Sequence, residues 1–189
     1  MKSYLMNRNW YWSIVCILLP FTNIALALVK TNCYSYNIVE IFSFSEMITL
    51  ILVAVAEEAF FRGLVLHEMV FGYHWRPFRS SLIVSIVFGI LHLLNANSYA
   101  TWSYVIVQSI CAFAVSFNIC ALYINTKSLL WCVVIHALIN ISSVFAEYGG
   151  NTEQLVLCNY ESLIYLVVSL VYLVIGTRMF MNKLAEGNE

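Results

Sequence analysis

Three apolar stretches of this 189-residue chain carry side chains able to do chemistry. The first holds Glu57, Glu58 and Arg62, the second holds His92 one helical turn after Phe88, and the third holds His136 one turn before Asn140. An ionisable group inside a membrane-spanning helix is costly unless it faces a partner or water, so such groups mark a functional site. Carboxylates and imidazoles can take and return protons, while imidazole and carboxamide N–H groups can stabilise a developing oxyanion. The set reads as the active site of an enzyme, buried within a bilayer.

Each residue has its own reading. Glu58 and Arg62 are four apart with the glutamate first, the favourable order for an ion pair on one helix face. Pairing is the obvious way to keep both charges tolerable in a low dielectric, so these two are expected to brace the site. Glu57 lies about 100° around the helix, and the position four residues on is Phe61, not a cation. It must look to another helix, and a buried carboxylate whose ionised form is disfavoured is suited to act as general base or acid. His92 can satisfy itself on a backbone carbonyl, or it can meet Glu57. At ~1.5 Å rise per residue, Glu57 and His92 stand about 25 Å and about 21 Å from the turn between their helices, a matching depth. His136 and Asn140 project to one side of their helix, either as paired donors for an oxyanion or as an interhelical polar clamp.

The elements that must position these groups follow from composition. The chain is 62% hydrophobic and only 10% charged, against roughly 25% charged residues in soluble domains, so it is expected to be an integral membrane protein. A formal net charge of -1 offers no field for nucleic acid. Six apolar runs near 10–29, 45–72, 79–95, 101–123, 128–147 and 162–181 predict an all-α polytopic transmembrane bundle of about six helices, a single membrane domain over 1–189 with its catalytic core at about 45–147. Continuous apolar runs argue against a barrel, whose strands would alternate with period two. The first run reads as an uncleaved span rather than a signal peptide. With the N-terminus inside, Lys2, Arg8, Arg76, Arg79, Lys127, Arg178 and Lys183 fall on the inner side, which places both termini in the cytoplasm of a cell-membrane protein.

Other features are read plainly. Six cysteines show no Cys-x-x-Cys spacing; Cys33 and Cys158, in predicted outer loops, form either a disulfide or two free thiols. His67, His74, Trp10, Trp12 and Trp75 fit an interfacial belt, and Pro20 with Asn23 is expected to kink the first helix.

The residues resemble a family, the CAAX-processing and bacteriocin-processing intramembrane proteases known as CPBP or Abi proteins. Glu57-Glu58-x-x-x-Arg62 followed by Gly63, Phe88-x-x-x-His92 and His136-x-x-x-Asn140 match its three motifs in order. The resemblance implies an intramembrane endopeptidase acting on a peptide or protein substrate at the lipid bilayer. Carried over, Glu57 and His92 would activate the attacking water, His136 and Asn140 would stabilise the oxyanion, and Glu58, Arg62 and Phe88 would support the site. The substrate does not transfer with the motifs. A metal is not required by this set, although His92, His136 and Glu57 could hold zinc with a position left for water. The helical His-Glu-x-x-His pattern is absent, since after His67-Glu68 the next histidine is His74. A non-catalytic bacteriocin-immunity or scaffold protein, holding a peptide partner in the same cavity, is the alternative reading.

Overall fold

The computed structural model describes residues 16, 20–22, 44–96, 100–147 and 159–186. Among them regular structure is helical, with no strand. It comprises α1 (Phe44–Glu58), two π-helical segments (Ala59–Leu66 and Glu68–Gly72), α2 (Pro77–Leu91) continuing into a 3-10 turn (His92–Asn95), α3 (Trp102–Thr126), α4 (Leu129–Glu147) and α5 (Asn159–Glu186). With the helical residues 16 and 20–22 upstream of α1, this is the expected bundle of about six helices.

Local chemistry sets the helix ends. Pro77 opens α2, where its missing N–H costs nothing, and its ring holds Arg76 in an extended conformation (φ -61, ψ 123). Thr101 caps α3, its hydroxyl oxygen accepting from the Tyr104 N–H at 3.4 Å. Lys127 closes α3 in the left-handed region (φ 54) while its N–H donates to the Tyr123 carbonyl at 2.7 Å. The Lys127 ammonium then lies 5.5 Å from the centre of the Phe71 ring. The end of α3, the second π-helical segment and the start of α2 therefore share one end of the bundle, which carries Arg76, Arg79 and Lys127.

Apolar side chains face outward as well as inward, unlike in a water-soluble bundle. α2 buries Ser80, Ser81, Val84, Ser85, Phe88 and Gly89 and turns Ile83, Ile86, Val87 and Ile90 outward. α5 likewise presents Leu163, Val167, Leu170 and Val174. In lipid nothing drives apolar residues inward, so interfaces take the small residues that let backbones approach. Gly89 is one such point: a Cβ there would stand 2.9 Å from Phe113 Cβ and 3.0 Å from the Ser109 carbonyl, and Ser109 donates its hydroxyl to the Gly89 carbonyl at 2.6 Å. Three helical stretches are long and apolar enough to cross a membrane, Pro77–Asn95, Trp102–Thr126 and Ser162–Met181, and Leu129–Ser143 is a shorter apolar helix. The protein is an integral membrane protein.

α3 packs between α2 and α5, and α1 pairs with α4. The π-helical segment Ala59–Leu66 touches α2, α3 and α4 and so joins the two groups. This corrects one expectation: the run 45–72 is not a single regular helix, because α1 gives way to π-helix directly after Glu58. Most of the first expected span, together with Lys30, Cys33, Cys158 and the 149–153 loop, lies outside the described residues.

Candidate active site

The site forms where α1, its π-helical continuation, α2, α3 and α4 meet. Glu58 ends α1 and Arg62 sits in the following turn, and both side chains are completely buried. Arg62 Nη1 donates to Glu58 Oε1 at 2.8 Å. Arg62 Nη2 reaches across to α3, donating to Ser116 Oγ at 2.8 Å and to the Ser116 carbonyl at 3.1 Å. Its guanidinium carbon lies 5.1 Å from the centre of the Phe88 ring on α2. Three helices thus fix one cation.

Glu58 Oε1 accepts a second hydrogen bond, from His136 Nδ1 on α4 at 2.7 Å. Glu58 Oε1 already accepts from Arg62 and accepts here as well, so the shared hydrogen is assigned to Nδ1, and His136 Nε2 points away from the ion pair. That nitrogen lies 3.4 Å from Glu57 Oε2. The four residues form a row, Arg62, Glu58, His136, Glu57, that runs from full burial to the surface. The Glu57 side chain is 32% exposed, so it is the member of the row that an incoming reactant can reach. The expectation of a buried Glu57 is corrected to a partly exposed one.

Phe88 is the apolar centre of this arrangement. Its ring stands 5.0 Å from Phe61, 5.9 Å from His136 and 4.7 Å from His92, centre to centre. His92 begins the 3-10 turn, and its Nδ1 lies 2.9 Å from the Phe88 carbonyl. A carbonyl can only accept, so Nδ1 carries the hydrogen and Nε2 is left free of that bond. The bond that orients His92 is thus the carbonyl bond, and the imidazole that meets Glu57 is that of His136. Asn140, one turn along α4, donates from Nδ2 to the Leu50 carbonyl of α1 at 3.5 Å. That is clamp geometry, but long enough for the amide to exchange the carbonyl for a better acceptor.

Among the described residues no three His, Cys, Asp or Glu side chains stand close enough to hold a metal ion together. Glu58 Oε1 is already engaged by Arg62 and His136, and His136 Nδ1 by Glu58. His92, His136 and Glu57 do not make a three-ligand zinc site in this arrangement.

A family model described as type II CAAX prenyl endopeptidase Rce1-like matches residues 39–142, a stretch that contains every residue of the row together with Phe88, His92 and Asn140. The chain belongs to that family. No curated protein and no solved structure matches it. The Rce1-like family is a family of CAAX-type membrane peptidases, and the Rce1-like stretch spans α1 to most of α4, leaving α5 outside. Ser116 also falls within the stretch, although no motif or spacing in the sequence marks it. Its only signal is a hydroxyl in an apolar run, and Ser80, Ser81, Ser85, Ser109 and Ser169 share that signal.

Proposed function

We propose that this Rce1-like protein is an intramembrane endopeptidase that hydrolyses a membrane-associated peptide or protein, with Glu57 as general base. The carrying observation is the exposed Glu57 carboxylate set 3.4 Å from Nε2 of a histidine whose other nitrogen is tied to a buried ion pair. Membership of a CAAX-peptidase family supports the same reading.

Two carboxylates and one guanidinium leave a net negative charge, so a proton on His136 would make the row neutral and its Nε2 a donor toward Glu57. Water beside Glu57 gives up a proton to the carboxylate as its oxygen bonds to the substrate carbonyl carbon. His92 Nε2 accepts the other hydrogen of that water and aims it. Negative charge then moves from Glu57 to the carbonyl oxygen, and the His136 Nε2–H turns from the neutralised glutamate to the oxyanion, joined by the Asn140 amide. Such donors stabilise the transition state more than the ground state, which is the condition for raising turnover. Glu57 finally hands its proton to the leaving nitrogen as the C–N bond breaks. Glu58, Arg62 and Phe88 hold the geometry. We read it as a cell-membrane protein with both termini cytoplasmic, a reading that the gathering of Arg76, Arg79 and Lys127 at one end of the bundle supports.

The test is a cleavage assay on protein reconstituted in liposomes with membrane-anchored peptides, prenylated CAAX peptides among them, and product masses read directly. The wild type should release defined fragments and Glu57→Gln should not. A protein that binds such peptides but never cuts them would be a scaffold or immunity protein.

A further inference from the structure

We infer that Ser116, on α3 and outside all three polar motifs, is a positioning residue of the site: its hydroxyl and carbonyl fix the Arg62 guanidinium and, through Glu58, the orientation of His136. The inference rests on the peptidase reading and names a part of its machinery that sequence motifs do not contain.

The geometry is a chain of contacts running from Ser116 to His136. Ser116 is fully buried, and Arg62 Nη2 donates to both its oxygens, at 2.8 Å and 3.1 Å. Arg62 Nη1 donates to Glu58 Oε1, and that same oxygen accepts from His136 Nδ1. Among the described residues Glu58 Oε2 and Arg62 Nε have no hydrogen-bond partner. Among the described contacts the carboxylate is held through Oε1, so the position of that oxygen follows the guanidinium to which it is bonded. Displacing the guanidinium moves Glu58 Oε1, and the imidazole bonded to it turns relative to Glu57.

The way Ser116 uses its hydroxyl supports this role. A serine inside a helix commonly bonds back to a carbonyl of the preceding turn. Ser85, Ser142, Ser143 and Ser169 do this, donating to Ser81, Ile139, Asn140 and Tyr165. Ser116 Oγ is instead an acceptor for a cation on another element. Removing it leaves the ion pair and the 3.1 Å carbonyl contact in place, so the cation keeps acceptors and the helix keeps its packing. What goes is the shorter of the two contacts that hold Nη2.

The experiment is a double-mutant cycle with Ser116→Ala and His136→Gln, each measured for kcat, KM and melting temperature on whichever membrane-anchored peptide the wild type cleaves. Ser116→Ala should lower kcat about tenfold with KM within about twofold, and should cost no more than about twofold further once His136 is already glutamine. A purely structural role would depress both backgrounds alike, and that result would overturn the inference, as would Ser116→Ala turning over within about twofold of wild type. If Ser116→Ala does not fold, Ser116→Cys, a weaker acceptor of similar size, carries the same cycle; failure of both to fold makes Ser116 a folding residue and also overturns it. Wild type cleaving no faster than Glu57→Gln is a different failure, since it removes the peptidase reading itself.

Discussion

Replacing Arg62 with alanine tests the innermost link of the row. Both members of the Arg62–Glu58 pair are completely buried, and the arginine makes one bond to Glu58, two to Ser116 and a ring contact with Phe88. Its loss strands a buried carboxylate with only the His136 bond to offset its desolvation. Removing one partner of a buried ion pair costs about 3–5 kcal/mol. A domain of this size loses about 2–4 °C of melting temperature per kcal/mol, so Arg62→Ala should melt roughly 6–20 °C below wild type in detergent. A second variant separates charge from packing. Glu58→Gln combined with Arg62→Met fills similar volume with no stranded charge and keeps an amide oxygen for His136, so it should recover at least half of the loss. The assay is thermal unfolding followed by intrinsic fluorescence, with Glu58→Gln alone as control. An Arg62→Ala protein that melts within about 2 °C of wild type, or a double variant no better than the single, would refute the claim that a buried charge pair holds this corner.

Three further outcomes follow from the same geometry. Gly89→Ala puts a Cβ 2.9 Å from Phe113 Cβ and 3.0 Å from the Ser109 carbonyl, so it should cost about 1–3 kcal/mol by overpacking and lower turnover by moving Phe88 and His92. Gly63→Ala, where the nearest neighbour is a Leu129 methyl at 3.5 Å, should stay within about 0.5 kcal/mol; equal thermal shifts for the two would contradict the close approach at Gly89. Asn140→Ala removes a 3.5 Å contact and should leave the melting temperature nearly unchanged, yet lower kcat by about 10²-fold as an oxyanion donor. A loss confined to KM would reject that role.

Much of this was legible in the sequence, for reasons that also explain what was not. Alternation between apolar runs and Lys, Asn and Pro punctuation located the helices, and the ends moved by a few residues where Pro77 starts α2 and where Lys127 adopts a left-handed cap. The four-residue spacing from Glu58 to Arg62 gave their pairing, because that spacing places both side chains on one face of any helix. Depth matched Glu57 with His92, but depth says nothing about rotation around a helix axis, and the structure turns His136 toward Glu57 instead. The slip from α- to π-helix at Ala59 has no compositional signature in Ala59-Phe60-Phe61-Arg62-Gly63, so the run to 72 read as one span. Ser116 was invisible because which serine faces an arginine depends on the packing of α3 against the π-helical turn, not on its neighbours in sequence.

The most direct test is peptide hydrolysis by the reconstituted protein in ¹⁸O-labelled water, with the new C-terminal carboxylate weighed by mass spectrometry. The wild type should incorporate one labelled oxygen per cleavage event, and Glu57→Gln should release product below about 1% of the wild-type rate with an unaltered melting temperature. Cleavage by Glu57→Gln at a wild-type rate, or fragments that carry no label, would contradict the proposed mechanism.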